Sequence, residues 1–179
     1  MLGLAGCERV GELFEDELDD SAEGMSGRWE IVSVSQAKDD CKKLEPADAK
    51  IDQVTVSVAT EDSESGAVEY LRVEACAGQE CGPIADRYSR FERAEWGWTL
   101  DEYRADWSRH PACLARHVEA TFVPLPDGRA RIELMHLLGE SFVEGEEDCD
   151  HEFARERRDA MSCQYRQLLE LRRPPETSG

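Results

Sequence analysis

Hydrophobic and polar residues alternate along much of this chain with a period of two, the pattern of strands that bury one face. Val54, Val56 and Val58 alternate with Thr55, Ser57 and Ala59. After the acidic turn segment 61–66 the pattern resumes over 67–76, with Leu71, Val73 and Ala75 on one face, so the two runs predict a hairpin. A second hairpin is predicted from 114–123, carrying Leu114, Val118, Ala120 and Phe122, through the turn Pro126-Asp127-Gly128 into Ala130, Ile132, Leu134 and Leu138. Ile31, Val32 and Val34 behind Gly27-Arg28-Trp29 predict a first strand. Tyr165, Leu169 and Leu171 predict a closing strand over 163–172, where Leu168 also allows a helix.

Two stretches carry a helical period instead. Pro83, then Ile84, Tyr88 and Phe91 at i, i+4 and i+7, with Gly97 as a stop, fit an amphipathic helix over 83–96, with a strand through 88–96 as the alternative. Thr99 and Glu102 form a capping-box signature with Trp98 and Tyr103 as its hydrophobic staple, which predicts a short helix over 100–109 before Pro111. The polar, Arg-rich stretch 153–161 reads as a further helix. The expected fold is therefore mainly β (α+β), an antiparallel barrel or curved sheet with one to three short helices. One domain, 27–173, with a tail at 174–179, suits a chain of 179 residues, long enough to bury about 70% of its unfolded surface.

The N-terminal stretch follows neither period. Residues 8–26 hold eight carboxylates against Arg9 alone, so 7–26 reads as a self-repelling acidic tether. Val10, Leu13, Phe14 and Leu18 at helical spacing also allow a short helix that needs the domain's contacts to persist. Ahead of the tether stand Leu4, Ala5, Gly6 and Cys7, one apolar and two small residues before a cysteine. This tetrapeptide resembles the lipobox of bacterial lipoproteins, which are cut just before the cysteine. The resemblance implies that 1–6 is the remnant of a signal peptide and that Cys7 carries a diacylglycerol on sulfur and a further acyl chain on its amino group. Each buried methylene contributes about 0.8 kcal/mol, so two or three chains hold firmly to a membrane where one holds marginally. Six residues without Lys or Arg fall short of a charged region plus an apolar stretch of about 7–15 residues, so Met1 is expected to lie inside a longer leader. Glu8 stands where enteric lipoproteins retained in the inner membrane carry Asp. By that resemblance the expected location is the bacterial cell envelope, at the outer membrane.

Charge narrows the partners. A net charge of −19, from 40 acidic against 21 basic residues, repels phosphate backbones and excludes nucleic acid. The chain holds no Gly-x-Ser-x-Gly elbow, His-Glu-x-x-His, P-loop or Gly-x-Gly-x-x-Gly, so no catalytic residue and no cofactor is assigned. Beyond Cys7, the six cysteines Cys41, Cys76, Cys81, Cys113, Cys149 and Cys163 are an even set, as expected of an exported disulfide framework. Cys76 and Cys81 flank only four residues and are expected to bridge; the remaining pairs are expected to be Cys149 with Cys163 and Cys41 with Cys113. The competing reading is zinc held by Cys76, Cys81, Cys113 and His117, a spacing without paired knuckles. Six carboxylates surround Cys149 over 144–152, but without the EF-hand register they read as a solvated loop, and no metal is assigned.

Gly27-x-Trp29 at the start of the first strand resembles the opening of lipocalins, in which the Trp closes one end of an eight-stranded barrel. The resemblance implies a small hydrophobic ligand inside, with Trp29, Trp96, Trp98, Trp107 and Phe122 as the candidate pocket wall; the same rings also read as plain core. His117 and His136 lie within strands and read as structural, because neither has a committed carboxylate or cysteine neighbour. Two function classes follow: a lipid-anchored carrier of a small hydrophobic ligand, or an interaction lipoprotein with a filled core that works against another envelope protein.

Overall fold

A computed structural model of the chain describes residues 20–38, 51–63, 66–85, 89–109, 112–142, 149–161 and 163–175. The alternating stretches form β1 (Gly27–Lys38), β2 (Gln53–Ser63), β3 (Gly66–Ala77), β4 (Glu80–Pro83), β5 (Arg90–Ala94), β6 (Gly97–Arg109), β7 (Ala112–Leu125), β8 (Arg129–Phe142) and β9 (Cys163–Arg172). Helices α1 (Ala22–Met25) and α2 (His151–Glu156) and a 3-10 turn (Arg158–Ala160) are short. All pairings are antiparallel, and the order β2-β1-β9-β8-β7-β6-β5-β3 closes on itself because β2 also pairs with β3. The ring is therefore an up-and-down barrel of eight strands, with β4 continuing the line of β5 along β3.

Both expected hairpins are present, β2–β3 from Gln53↔Cys76 to Ser63↔Gly66 and β7–β8 from Ala112↔Phe142 to Leu125↔Arg129. The stretch at 163–172 is a strand. One detail of the first hairpin differs from the alternation: Val58 is exposed, because β1 covers β2 only as far as Gly27↔Val56 and the hairpin tip projects beyond the barrel.

The helix expected over 100–109 is a strand, and over 83–96 the strand alternative holds at Arg90–Ala94, for reasons that can be traced. Between β4 and β5 the pairing with β3 is interrupted. Buried Ser89, at φ 44°, holds the chain there by accepting the Ala85 N–H on its Oγ at 2.9 Å and the Val73 N–H on its carbonyl at 3.1 Å. The interruption shifts the inward positions, so Ile84 and Phe91 fall at a helix-like interval although both pack on one core; Tyr88 lies outside the described residues. Gly97 ends a tight turn and no helix. Its φ of 145° favours glycine, and a Cβ there would come within 2.7 Å of the Phe122 carbonyl oxygen. In β6, Trp98 and Leu100 face the barrel interior, while Tyr103 and Ala105 face outward beneath α2. A strand that changes its buried face in this way spaces apolar residues at 100, 103 and 107, which imitates a helix. The helix expected over 153–161 is displaced and divided: α2 begins at His151, with Asp150 as N-cap accepting the Phe153 N–H at 2.8 Å, and the 3-10 turn follows it.

Inside the barrel Met25, Trp29, Val54, Leu71, Val73, Phe91, Phe122, Ile132, Leu134, Leu169 and Leu171 form one buried cluster. One end is stoppered. Helix α1 lies across it, the Trp29 indole donates to the Met25 carbonyl at 3.0 Å, and Phe122 meets Trp29 edge to face at 5.9 Å and Phe91 likewise at 6.4 Å. Beyond β9, the Arg173 guanidinium lies 4.0 Å over the Trp29 ring and donates to the carbonyls of Gly24 and Ser26.

Replacing Trp29 by Ala is expected to cost about 3–5 kcal/mol in urea unfolding. Trp29→Phe, which keeps a ring and loses the bond to Met25, is expected to cost about 1 kcal/mol more than the lost packing alone. A Trp29→Ala loss below about 1 kcal/mol, the size of a single hydrogen bond, would show that this stopper does not hold the barrel.

Candidate functional site

The site grows from a change of face in the longest strands. In β7 the buried residues are Cys113, Ala115 and His117, and then, one step over, Val118, Ala120 and Phe122. The second set points into the barrel, so the first lies on its outer wall. A strap, 149–161, covers that wall: Ala154, Met161 and Phe153 pack on Tyr103, Ala105, Ala115 and Leu137. Gly139 makes room for it, since a Cβ there would meet Met161 at 3.1 Å. The Cys113–Cys149 disulfide pins the strap's start to β7.

Beneath the strap His117 is fully buried although it lies outside the barrel. Its cross-strand partner Tyr103 stacks on it, rings 3.9 Å apart and nearly parallel. His117 Nε2 is 2.5 Å from Asp101 Oδ1. The carboxylate only accepts, so Nε2 carries the proton. On the other side Nδ1 makes no hydrogen bond, with Glu119 Oε1 3.6 Å away. Glu119 is in turn gripped by Arg158 of the strap through Nε at 3.0 Å and through Nη2, a bond that raises the Arg158 pKa above its ordinary value. Burial, then the Asp101 charge, pushes the Tyr103 phenol up. Inside the barrel, burial alone does the same to Tyr165, whose hydroxyl has no hydrogen-bond partner and whose ring lies 5.9 Å from that of His136.

Asp101 faces the other way as well. Its side chain is about 65% exposed and lines a cleft of about 640 Å³ on the outer wall. Outward alternation on three strands builds this cleft: Tyr70 and Arg72 on β3, Arg90 and Glu92 on β5, Thr99 and Asp101 on β6, with Tyr70↔Glu92↔Thr99 and Arg72↔Arg90 as cross-strand rows. Thr60, Glu61, Leu100 and Glu102 complete the lining. Arg90 is committed, bonded to Glu61, 3.2 Å from Glu92, and 4.5 Å over the Tyr70 ring. The Arg72 guanidinium makes no ion pair among the described residues. The cleft thus presents one cation without an ion pair among the described residues and an exposed carboxylate held from behind by a buried imidazole. His117 itself is sealed from solvent, so its chemistry is to orient Asp101 rather than to meet a substrate.

The residues expected at a ligand mouth do not converge. Trp29, Trp98 and Phe122 are core, Trp96 sits exposed in the β5–β6 turn, and Trp107 is half-buried on β6 opposite Cys113. Cys76 is bonded to Cys81. The expected pairs Cys149 with Cys163 and Cys41 with Cys113 are replaced by Cys113 with Cys149, because the strap returns over β7 and brings their Cα atoms to 5.5 Å. The same bridges consume three of the four ligands of the zinc reading, and no His, Cys, Asp and Glu cluster suited to a metal occurs among the described residues. Cys7, Cys41 and residues 144–148 lie outside the described residues, and of Cys163 only its backbone place opposite Leu138 is described. His117 does have the carboxylate neighbour that sequence reading found missing. The pairing of β6 with β7 would have supplied it, had 100–109 been read as a strand.

The chain matches no protein-family model, no curated protein and no solved structure.

Raised phenol pKa values favour the folded state while the phenols stay protonated. Their contribution is complete below about pH 10, where unfolded tyrosine ionises, and is lost as pH rises through the folded values. An ultraviolet titration is expected to show late-ionising tyrosine that Tyr103→Phe and Tyr165→Phe each reduce, with unfolding midpoints falling above about pH 10. Unchanged late absorbance in both variants would refute the assignment.

Proposed function

We propose that this chain is a membrane-anchored bacterial envelope lipoprotein, at the outer membrane, whose filled barrel serves as a rigid support for a binding surface on its outer wall. The observation that carries this reading is the filling of the interior. Its end around Trp29, Phe91 and Phe122 is occupied by interlocked side chains, and farther along β6 and β7 the inward register positions Glu102, Arg104, Asp106 and Arg116 are charged, with Asp106 paired to both arginines. An apolar carrier needs an open apolar interior. Of the two function classes, the interaction lipoprotein is therefore favoured over the carrier of a small hydrophobic ligand. The lipocalin-like start keeps its architectural meaning: Trp29 stands at the stoppered end of an eight-stranded up-and-down ring, which supports a lipocalin-like frame with its interior given over to packing.

The anchor rests on Leu4-Ala5-Gly6-Cys7. The acidic segment meets the fold at Asp20, its carboxylate 2.7 Å from Arg93 on β5 and its carbonyl accepting from Trp98 on β6 at 3.0 Å.

Two measurements test the reading. Intact mass of the protein made from its native locus is expected to show cleavage before Cys7 with acyl chains attached; an unmodified N-terminus would remove the envelope assignment. A naphthylamine or fatty-acid probe is expected to show no saturable one-to-one uptake, and stoichiometric uptake with quenching of the buried tryptophans would restore the carrier.

A further inference from the structure

Taking the cleft as the binding surface, we propose that its ligand is a short zwitterionic peptide, its carboxylate on Arg72 and its ammonium on Asp101. The assignment begins with charge. In a chain with about twice as many acids as bases, a guanidinium beside a carboxylate is normally consumed by it, and Arg90 is: Glu61 and Glu92 hold it and Tyr70 lies under it. Arg72, its cross-strand neighbour on the same face, has no such partner among the described residues. Its planar fork of donors suits a carboxylate, which it can take bidentately.

The opposite pole is Asp101. One oxygen of its carboxylate is occupied by His117 Nε2, which fixes the group's orientation, while the side chain remains open to the cleft. Arg72 pairs with Arg90 on β5, and Asp101 lies on β6 two residues beyond Thr99, where the β5–β6 pairing ends, so both poles line one cleft. A cavity of about 640 Å³ falls within the usual range for small-ligand sites, about 300–1,000 Å³. Thr60 and Thr99 line it with hydroxyls that can meet peptide groups, beside Tyr70 and Leu100.

Calorimetric titration with trialanine, its C-terminal amide, its N-acetyl form and glycerophosphoethanolamine tests the assignment. Free trialanine is expected to bind one to one. Amidation and acetylation are each expected to weaken binding at least about tenfold, the cost of one charged hydrogen-bond pair. Arg72→Gln is expected to abolish discrimination against the amide alone. Asp101→Asn, which can still accept from His117, is expected to abolish discrimination against the acetylated form alone. The proposal falls if trialanine does not bind saturably, if the capped forms bind equally well, or if neither variant changes the discrimination. Tighter binding of glycerophosphoethanolamine than of trialanine would overturn the peptide in favour of a lipid headgroup. These failures leave the filled barrel standing, whereas uptake of the hydrophobic probe removes the reading beneath them.

Discussion

The stacking of Arg173 on Trp29 joins the two ends of the barrel, and the rest of the structure is arranged around that contact. Trp29 opens β1, Arg173 follows β9, and the guanidinium reaches past the ring to the carbonyls of α1. Those carbonyls, at Gly24 and Ser26, belong to a helix too short to satisfy its own end. The contact therefore fastens α1 over the opening and at the same time closes the ring between first and last strands. Phe122 and Phe91 stack inward from Trp29, so the same contact decides that this end of the interior is solid.

The outer wall acquires its depth from strands longer than the barrel needs. β7 and β8 run 14 residues each; β7 changes its buried face between His117 and Val118, whereas β8 keeps Ala130, Ile132, Leu134 and Leu138 buried on one face and adds the partly buried Leu137 on the other. The overhanging half exposes Tyr103, Ala105, Ala115 and Leu137, an apolar strip that the 149–161 strap covers. Covering it also buries His117. Desolvating an imidazole nitrogen without a partner costs about 1–3 kcal/mol, offset here by a bond to a carboxylate and by a stacked tyrosine. The strap thus holds Glu119 through Arg158 beside His117, whose Nε2 fixes the Asp101 carboxylate at the cleft.

Local alternation in the sequence was enough to read the strands that keep one buried face, which is why β2–β3 and the body of β7–β8 were legible, while at 163–172 Leu168 left strand and helix both open. Where a strand changes its buried face or is interrupted, alternation fails, and it fails toward a helix. Leu100, Tyr103 and Trp107 of β6 and Ile84 and Phe91 around Ser89 are examples. Trp29 as a buried residue could be read because both a core and a closure role demand it. The cleft could not. Arg72, Arg90 and Asp101 are separated by 18 and 11 residues along the chain and meet only through the register of β3, β5 and β6. The Cys113–Cys149 bridge was hidden for the same reason, since it depends on where the strap returns.

Acidity of the whole chain and the polarity of the cleft are connected. A surface with so many carboxylates leaves few sites where a guanidinium stays uncommitted, because any mobile acid nearby is drawn to it. On β3 and β5 the paired strands prevent that for Arg72. The Glu61 and Glu92 side chains are spent on Arg90, and Asp101 is turned toward His117 by a bond made at its back. Glu61, Glu92 and Asp101 are thus each assigned by a neighbour that the sheet holds in place, which leaves Arg72 without an ion pair among the described residues. A looser scaffold with the same residues would let Glu61 or Glu92 swing to Arg72. The filled, cross-linked barrel is what keeps the two poles apart.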